Sequence, residues 1–370
     1  MIERIKKELE EIKKLGLYRK LLKKKGLDFS SNDYLCLSKH PEIIQAVKEG
    51  LKYGFGASGS RLTSGNINHE ILEERLAEFK ETERALTFPT GYQTNVGVIS
   101  TLCKKGDLIL SDELNHASII DGCRLSKADR IIYKHLNYEE VENILEREYK
   151  NYEDIFIITD TVFSMDGDLA DLKRLKKIAD EYSAILIVDD AHGTGTVHKK
   201  GALKYFNVKG DNIIQIGTLS KAFGGLGGFV CSTDEVIEYL INRCRSFIYT
   251  TALPPCIVEG CLKALEIIDK GKLTKKLQKN INLANKIFKD FILEEKVTPI
   301  YPFIFKDKTM EIANYLQKNN IFCVAIRYPT VPKGLERIRV SINVNHKKDD
   351  LKLLCEKIKE KLYIEHEKIS

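Results

Sequence analysis

The stretch Ile185-Leu186-Ile187-Val188-Asp189-Asp190-Ala191-His192 is an apolar run that ends without transition in two acids and a histidine. Side chains alternate between the two faces of a strand, so a continuous apolar run has no face to offer to water. The run therefore reads as a strand in a sheet covered on both sides. Similar short runs stand at Ala85–Phe88, Leu108–Leu110, Ile155–Ile158, Ile213–Ile216 and Gly228–Cys231. Helical spacing appears between several of them, as in Leu172, Leu175, Ile178 and Ala179. Alternation of the two patterns predicts an α/β fold built on a mainly parallel central sheet. Such sheets bind ligands beyond the carboxyl ends of their strands. Asp189, Asp190 and His192 stand at such an end. A buried Asp there requires a cation or hydrogen-bond donors. Asp190 taken alone also reads as a helix cap, and a metal site has one histidine but no well-spaced further ligand.

A second segment has the same form. Ile213-Ile214-Gln215-Ile216-Gly217-Thr218-Leu219-Ser220-Lys221-Ala222-Phe223-Gly224-Gly225 runs from a strand into a glycine-containing turn with a single lysine. The spacing is not that of a P-loop. Strand-end lysines are commonly surface residues, but the neighbours of Lys221 are apolar or small, which points its side chain inward. A desolvated lysine has a lowered pKa and forms Schiff bases with carbonyl compounds.

The chain has 370 residues, 43% apolar and 30% charged, which suits a globular protein of more than one packed unit. Three units are expected: an N-terminal helical segment over 1–40, a large α/β domain over 41–275, and a smaller α+β domain over 276–370. His40-Pro41 opens a helix that carries Ile43, Ile44, Val47 and Leu51 and stops near Gly54. A loop rich in Gly and Ser follows, then a helix with Leu72, Leu76 and Phe79 on one face. Near the end, Arg337-Ile338-Arg339-Val340-Ser341-Ile342 reads as an alternating strand with one buried face, and Leu351, Leu354, Ile358 and Leu362 mark a closing helix. Ile2, Ile5, Leu9 and Ile12 predict an amphipathic helix lying on the body of the protein.

Lysine and arginine exceed aspartate and glutamate by 59 to 53, a net +6 spread over the chain, which gives no reason to expect a nucleic-acid partner. The one cluster, Lys23, Lys24 and Lys25 beside Arg19 and Lys20, reads as a solvated helix end or as a site for an anionic ligand. The nine cysteines form no metal-ligand pattern. With no signal-peptide pattern and no apolar run of membrane-spanning length, a cytoplasmic protein without a membrane partner is expected.

Several further motifs occur in order: Phe29-Ser30-Ser31-Asn32-Asp33-Tyr34-Leu35, Gly59-Ser60-Arg61-Leu62, Gly91-Tyr92, Asn115-His116-Ala117-Ser118 and Val162-Phe163-Ser164-Met165-Asp166-Gly167-Asp168. Together with the Asp189 and Lys221 segments, they make the chain resemble the α-oxoamine synthases, fold-type I enzymes dependent on pyridoxal phosphate. The resemblance runs from about Arg19 to Ile342. It implies that Lys221 carries the cofactor as a Schiff base and that Asp189 pairs with its pyridine nitrogen, making the ring an electron sink. By the same resemblance His116 stacks on the ring, and His192 and Ser164 hydrogen-bond its polar edges. Gly91, Tyr92 and Thr218 meet the phosphate, joined by Thr250 and Thr251 from a partner subunit, so a homodimer with shared sites is implied. Arg339 takes the carboxylate of an amino acid, with the solvent-facing strand arginine as its plainer reading. Asn32 and His116 also approach the substrate, while Arg19, Arg327 and Thr330 face the acyl group. One departure stands at Asp160, where the family usually has Glu.

The implied reaction is decarboxylative condensation of an amino acid with an acyl-CoA, or with an acyl carrier protein as donor. The stretch Thr90–Ile99 and Tyr328-Pro329-Thr330-Val331-Pro332 resemble the oxononanoate-synthase branch, implying L-alanine and pimeloyl-CoA as substrates in biotin synthesis. Glycine with acetyl-CoA, giving 2-amino-3-oxobutyrate, is the alternative within the family. A non-catalytic partner subunit is the alternative of another class, and such subunits are expected to lack the cofactor lysine.

Overall fold

The apolar runs become strands, and the computed structural model describes residues 1–367. In chain order the strands are β1 (Leu27–Asp28), β2 (Arg84–Phe88), β3 (Leu108–Asp112), β4 (Asp129–Tyr133), β5 (Ile155–Asp160), β6 (Ile185–Asp189), β7 (Ile213–Thr218), β8 (Gly228–Ser232), β9 (Ile300–Ile304), β10 (Ile321–Phe322), β11 (Ala325–Ile326) and β12 (Arg337–Ser341). Seven form one sheet in the order β2-β8-β7-β6-β5-β3-β4. Only β8 runs against the others. Alternate residues of one strand enter different cores: Leu186 and Val188 pack on one face, Ile187 on the other. Both faces are therefore covered, as the unbroken apolar runs require.

Five helices begin the chain's helical layers: α1 (Ile2–Lys14), α2 (Pro41–Gly50), α3 (His69–Lys80), α4 (Gly91–Leu102) and α5 (Ala117–Leu125). Val98 and Ile99 of α4 and Ile119 and Cys123 of α5 pack into the core that contains Ile187. The smaller sheet has the order β11-β12-β9, with Arg339 opposite Pro302. The pair β1–β10 is parallel and joins the N-terminal segment to the C-terminal region. Another joint is ionic. His135 lies 3.0 Å from an Asp112 oxygen and 3.4 Å from one of Asp168, and Asp168 accepts from Lys296 at 2.7 Å. Among the described residues no helix is long and apolar enough to cross a membrane.

Four details differ from the sequence reading. Helix α1 forms, but none of its residues is buried, and Ile2, Ile5, Leu9 and Ile12 are 38–64% exposed. It does not lie on the body of this chain, so its apolar stripe has no covering partner among the described residues. Lys23, Lys24 and Lys25 sit in extended coil rather than at a helix end, with Lys24 paired to Asp28. Strand β4 escapes detection because it is a sheet edge with mostly solvated side chains, so its sequence need not be apolar. All five residues of β12 are buried, including Arg337 and Arg339. The face expected to meet solvent is covered by the loop at Ser164–Asp166 and by Tyr34.

Candidate active site

Strands β5, β6 and β7 end side by side, and Asp160, Asp189 and the Lys221 that follows β7 place charge at that end of the sheet, the candidate cleft. Asp160 of β5 is in register with Asp189 of β6. Asp189 is buried, and its oxygens accept from Asn95 Nδ2 at 2.6 Å and from the Ala191 N–H at 2.9 Å. Among the described residues no cation lies within ion-pair distance of it. Burial, reinforced by Asp189, pushes the Asp160 carboxyl well above the usual range. Asp160 also accepts from the His116 N–H at 2.7 Å, and its own N–H donates to Asn115 Oδ1 at 2.9 Å. The shorter acid thus still fixes the loop that delivers His116.

Asp190 faces the other way. Lys80 donates to it at 2.9 Å from a fully buried position, and Thr161, Thr194 and the Ala202 N–H complete its coordination. This carboxylate anchors the turn that carries His192, where the sequence left helix capping open. His192 is buried, with Nδ1 at 2.7 Å from the Tyr34 hydroxyl. Burial, with the charges of Lys221 and Arg339, holds its imidazolium far below the ordinary range.

Lys221 follows β7 in a turn closed by Gly224 N–H on the Lys221 carbonyl, 2.9 Å. Gly224 has φ 69°, and a Cβ there would meet the Ser38 nitrogen at 2.3 Å. No other residue fits this approach. Among the described residues the Lys221 amine has no hydrogen-bond acceptor and no carboxylate within ion-pair distance. Burial lowers its pKa, partly opposed by Asp189 and Asp160 and assisted by Arg339.

His116 caps α5, and its ring stays accessible at the mouth of the cleft, edge-on to Tyr92 at 6.4 Å. Partial desolvation lowers its pKa, with Asp189 opposing and Lys221 assisting. Thr90 caps α4 by accepting from the Gln93 N–H. The Gly91 and Tyr92 N–H groups have no acceptor among the described residues, which leaves two donors at a helix start. A Cβ on Gly91 would lie 3.3 Å from Thr218 Oγ1. The Thr218 hydroxyl itself donates to the Gly227 carbonyl.

Arg339 is 7% exposed, and its guanidinium donates to the Ser164 carbonyl, to Ser341 Oγ at 2.7 Å and to the Tyr34 hydroxyl at 3.1 Å. All three acceptors are neutral. Its neighbour Arg337 pairs with Asp166, whereas Arg339 has no carboxylate among the described residues. The solvent-facing reading of Arg339 is therefore wrong. Tyr34 joins Asn32 into the same network, 3.1 Å from its Oδ1.

An amine without a partner, a buried carboxylate without a cation, and two unused helix-start amides form a set that fits pyridoxal phosphate. Lys221 suits its aldehyde, Asp189 its pyridinium and the α4 amides its phosphate. The class I and II aminotransferase model matches residues 24–358. A Methanocaldococcus jannaschii protein, provisionally named 8-amino-7-oxononanoate synthase, is 70% identical over 97% of this chain and 98% of its own. This chain belongs to the 8-amino-7-oxononanoate synthase family of the α-oxoamine synthases. Its fold is that of the α-oxoamine synthases of known structure. The 8-amino-7-oxononanoate synthase of Francisella tularensis superposes with a TM-score of 0.80 at 32% identity, covering 92% of this chain and 99% of that one. The serine palmitoyltransferase of Sphingomonas wittichii gives 0.89 at 27% identity, covering 96% of each chain. Enzymes of this family depend on pyridoxal phosphate.

The remaining expected residues lie farther out. Ser164 contributes its carbonyl to Arg339, and no hydrogen bond of its hydroxyl is seen among the described residues. Thr250 stands 3.5 Å from Gln93 at the start of α4, while Thr251 is exposed. Arg327 spends its guanidinium on the Gly16 and Tyr18 carbonyls. It thereby ties down the coil that carries the exposed Arg19, and Thr330 is exposed beside it. Tyr34, Asn95 and Ser118 carried no assigned role in the sequence. Asn95 had one visible signal, an amide in the middle of a helix on the same face as Val98 and Ile99.

Proposed function

We propose that this chain condenses L-alanine with a pimeloyl thioester to give 8-amino-7-oxononanoate, carbon dioxide and the free thiol, a step of biotin synthesis. The observation that carries this reading is the meeting of Lys221, Asp189 and Arg339 in one cleft, each without an ion-pair partner among the described residues. Pyridoxal phosphate, when bound, supplies an aldehyde carbon that accepts amines and a ring that takes up the electron pair left by a departing proton or carboxylate. Lys221 would hold it through that aldehyde, and its amine would be the base for the α-proton of the amino acid. Burial lowers the Lys221 pKa, which favours the free amine that a base requires. The α-carbon then bonds to the acyl carbon as the carbon–sulfur bond breaks and the thiolate leaves. Loss of the carboxylate as carbon dioxide follows, and a proton returns to the α-carbon.

Asp189 would keep the positive charge on the ring nitrogen, the Gly91 and Tyr92 amides and Thr218 would hold the phosphate, and His116 would cover the ring. His192 and Ser164 would meet its polar edges. Arg339 receives the substrate carboxylate, for which a guanidinium fork is well shaped, and Asn32 stands beside it. Arg19, Arg327 and Thr330 face the acyl chain, whose far carboxylate calls for a cation. A homodimer with shared sites completes the reading. Phe55 and Tyr249 are 89% and 72% exposed, and the Ala252 N–H donates to the Gly59 carbonyl, which ties the two exposed segments together. Such paired apolar exposure suits a subunit interface, where Thr250 and Thr251 reach the neighbouring phosphate. Nine free cysteines suit a cytoplasmic setting.

Mass spectrometry of products from L-alanine with pimeloyl-CoA, pimeloyl carrier protein, and glycine with acetyl-CoA tests the reading. 8-Amino-7-oxononanoate formed by the wild type and not by Lys221→Ala is expected. Preference for glycine with acetyl-CoA would overturn the substrate assignment, and no product from any pair would overturn the enzyme.

A further inference from the structure

A chain of hydrogen bonds runs behind the cleft from Asp189 to His116. Asn95 Nδ2 donates to Asp189 Oδ2 at 2.6 Å and to Ser118 Oγ at 2.9 Å. Ser118 Oγ lies 2.7 Å from His116 Nδ1, and the Ser118 N–H points at the same nitrogen from 3.3 Å. The proton on each atom follows from counting donors. Asn95 Oδ1 is buried without a partner among the described residues. Turning the amide over would aim that oxygen at the Asp189 carboxylate, so the amide nitrogen must face it. Both Asn95 protons are then in use, and Ser118 Oγ accepts one of them. The Ser118 hydroxyl proton is left for His116 Nδ1, which also faces the Ser118 N–H and so has no room for a proton of its own. His116 is therefore neutral with its proton on Nε2, in agreement with the lowered pKa of the ring.

We infer that Asn95 and Ser118 are positioning residues that hold His116 in its Nε2–H form and link its orientation to Asp189. This inference rests on the proposed use of His116 and Asp189 toward pyridoxal phosphate. The two groups that would meet the ring at its face and at its nitrogen are joined behind it by two small side chains. Asn95 and Ser118 are both buried, which fixes the geometry before any cofactor enters.

The test uses the full chain labelled with ¹⁵N in its histidines, and its first readout needs no cofactor. The ¹⁵N shifts of the His116 ring report which nitrogen carries the proton in wild type, Ser118→Ala, Ser118→Thr and Asn95→Leu. The wild type is expected to show the Nε2–H form alone. Ser118→Ala should show a mixture of both tautomers and an approximately tenfold weaker dissociation constant for pyridoxal phosphate, the cost of one unsatisfied buried partner. Ser118→Thr, which restores the hydroxyl, should recover the single form. An unchanged tautomer and unchanged cofactor affinity in Ser118→Ala would overturn the inference. Asn95→Leu should weaken cofactor binding further, and no loss there would also count against it. Absence of cofactor binding in the wild type would instead overturn the proposed function, whereas the tautomer is read independently in the cofactor-free protein.

Discussion

The guanidinium of Arg339 donates to the hydroxyl of Tyr34 across 3.1 Å, tying the small sheet to the N-terminal segment with no carboxylate among the described residues to balance the charge. Tyr34 in turn touches His192 and Asn32, so one phenol stands between the residues proposed for the substrate carboxylate and for the cofactor. A buried cation held only by neutral acceptors is a costly arrangement.

Arg339→Met should remove that cost together with the carboxylate site. L-Alanine affinity should fall about a hundredfold, in line with the loss of charge-assisted hydrogen bonds, while the melting temperature stays equal or rises. Spectral titration with the amino acid and calorimetry measure the two effects. A lower melting temperature would mean that the three acceptors already compensate the charge.

Lys221→Ala should leave pyridoxal phosphate held only by non-covalent contacts. Borohydride reduction is expected to fix the cofactor to the Lys221 peptide in the wild type and to no peptide in the variant. Turnover should fall by about 10³-fold or more. Covalent labelling of a different lysine in the wild type would displace Lys221 from its role.

Lys80→Met breaks a fully buried ion pair and leaves Asp190 uncompensated. Such a change costs about 3–5 kcal/mol, read as a lower denaturant midpoint. Adding Asp190→Asn removes the stranded charge and should restore part of the loss. If the single variant is as stable as the wild type, the pair does not anchor the turn.

Stability should also depend on pH through His135. Burial opposes its charge, but hydrogen bonds to Asp112 and Asp168 outweigh burial and raise its pKa from 6.5 to about 9. A raised value contributes stability that is complete below 6.5 and lost as pH rises through about 9. Asp168 is lowered from 3.8 to about 2, first by His135 and, against burial, by Lys296, so its contribution is present above 3.8 and fades as pH falls through about 2. After allowance for solvent screening, His135 accounts for about 1–2 kcal/mol between the two ends of its window. Urea denaturation from pH 6 to 9.5 should show this decline in the wild type and a flatter profile in His135→Gln.

The sheet was legible because strands buried on both faces must be apolar throughout, as at Ile185–Val188. The edge strand at Asp129–Tyr133 was not, since an edge is free to be polar. Lys221 and Asp189 stood out because their charge interrupts apolar strand ends, and the ordered motifs gave the family. Tyr34, Asn95 and Ser118 remained hidden within those motifs for a different reason. Their importance lies in which atom faces which, and an aromatic, an amide and a hydroxyl have ordinary structural uses that sequence cannot separate from this one. The helix at Ile2–Lys14 was correctly placed along the chain, but its period says only that one stripe is apolar, not what covers it.

Asp189 and Asp190 are adjacent in the chain and serve opposite sides of the strand end, one turned to the cleft and the other to Lys80. For protein design this makes the pleat a sorting device, with period two assigning one acid to reactivity and the next to scaffold. A single-residue deletion upstream in β6 would shift both by one place, presenting the cleft with Asp190 and Lys80 with Ala191, so the cleft has the wrong carboxylate and Lys80 has none. Any attempt to graft this motif onto another sheet has to preserve strand parity before it considers side-chain identity.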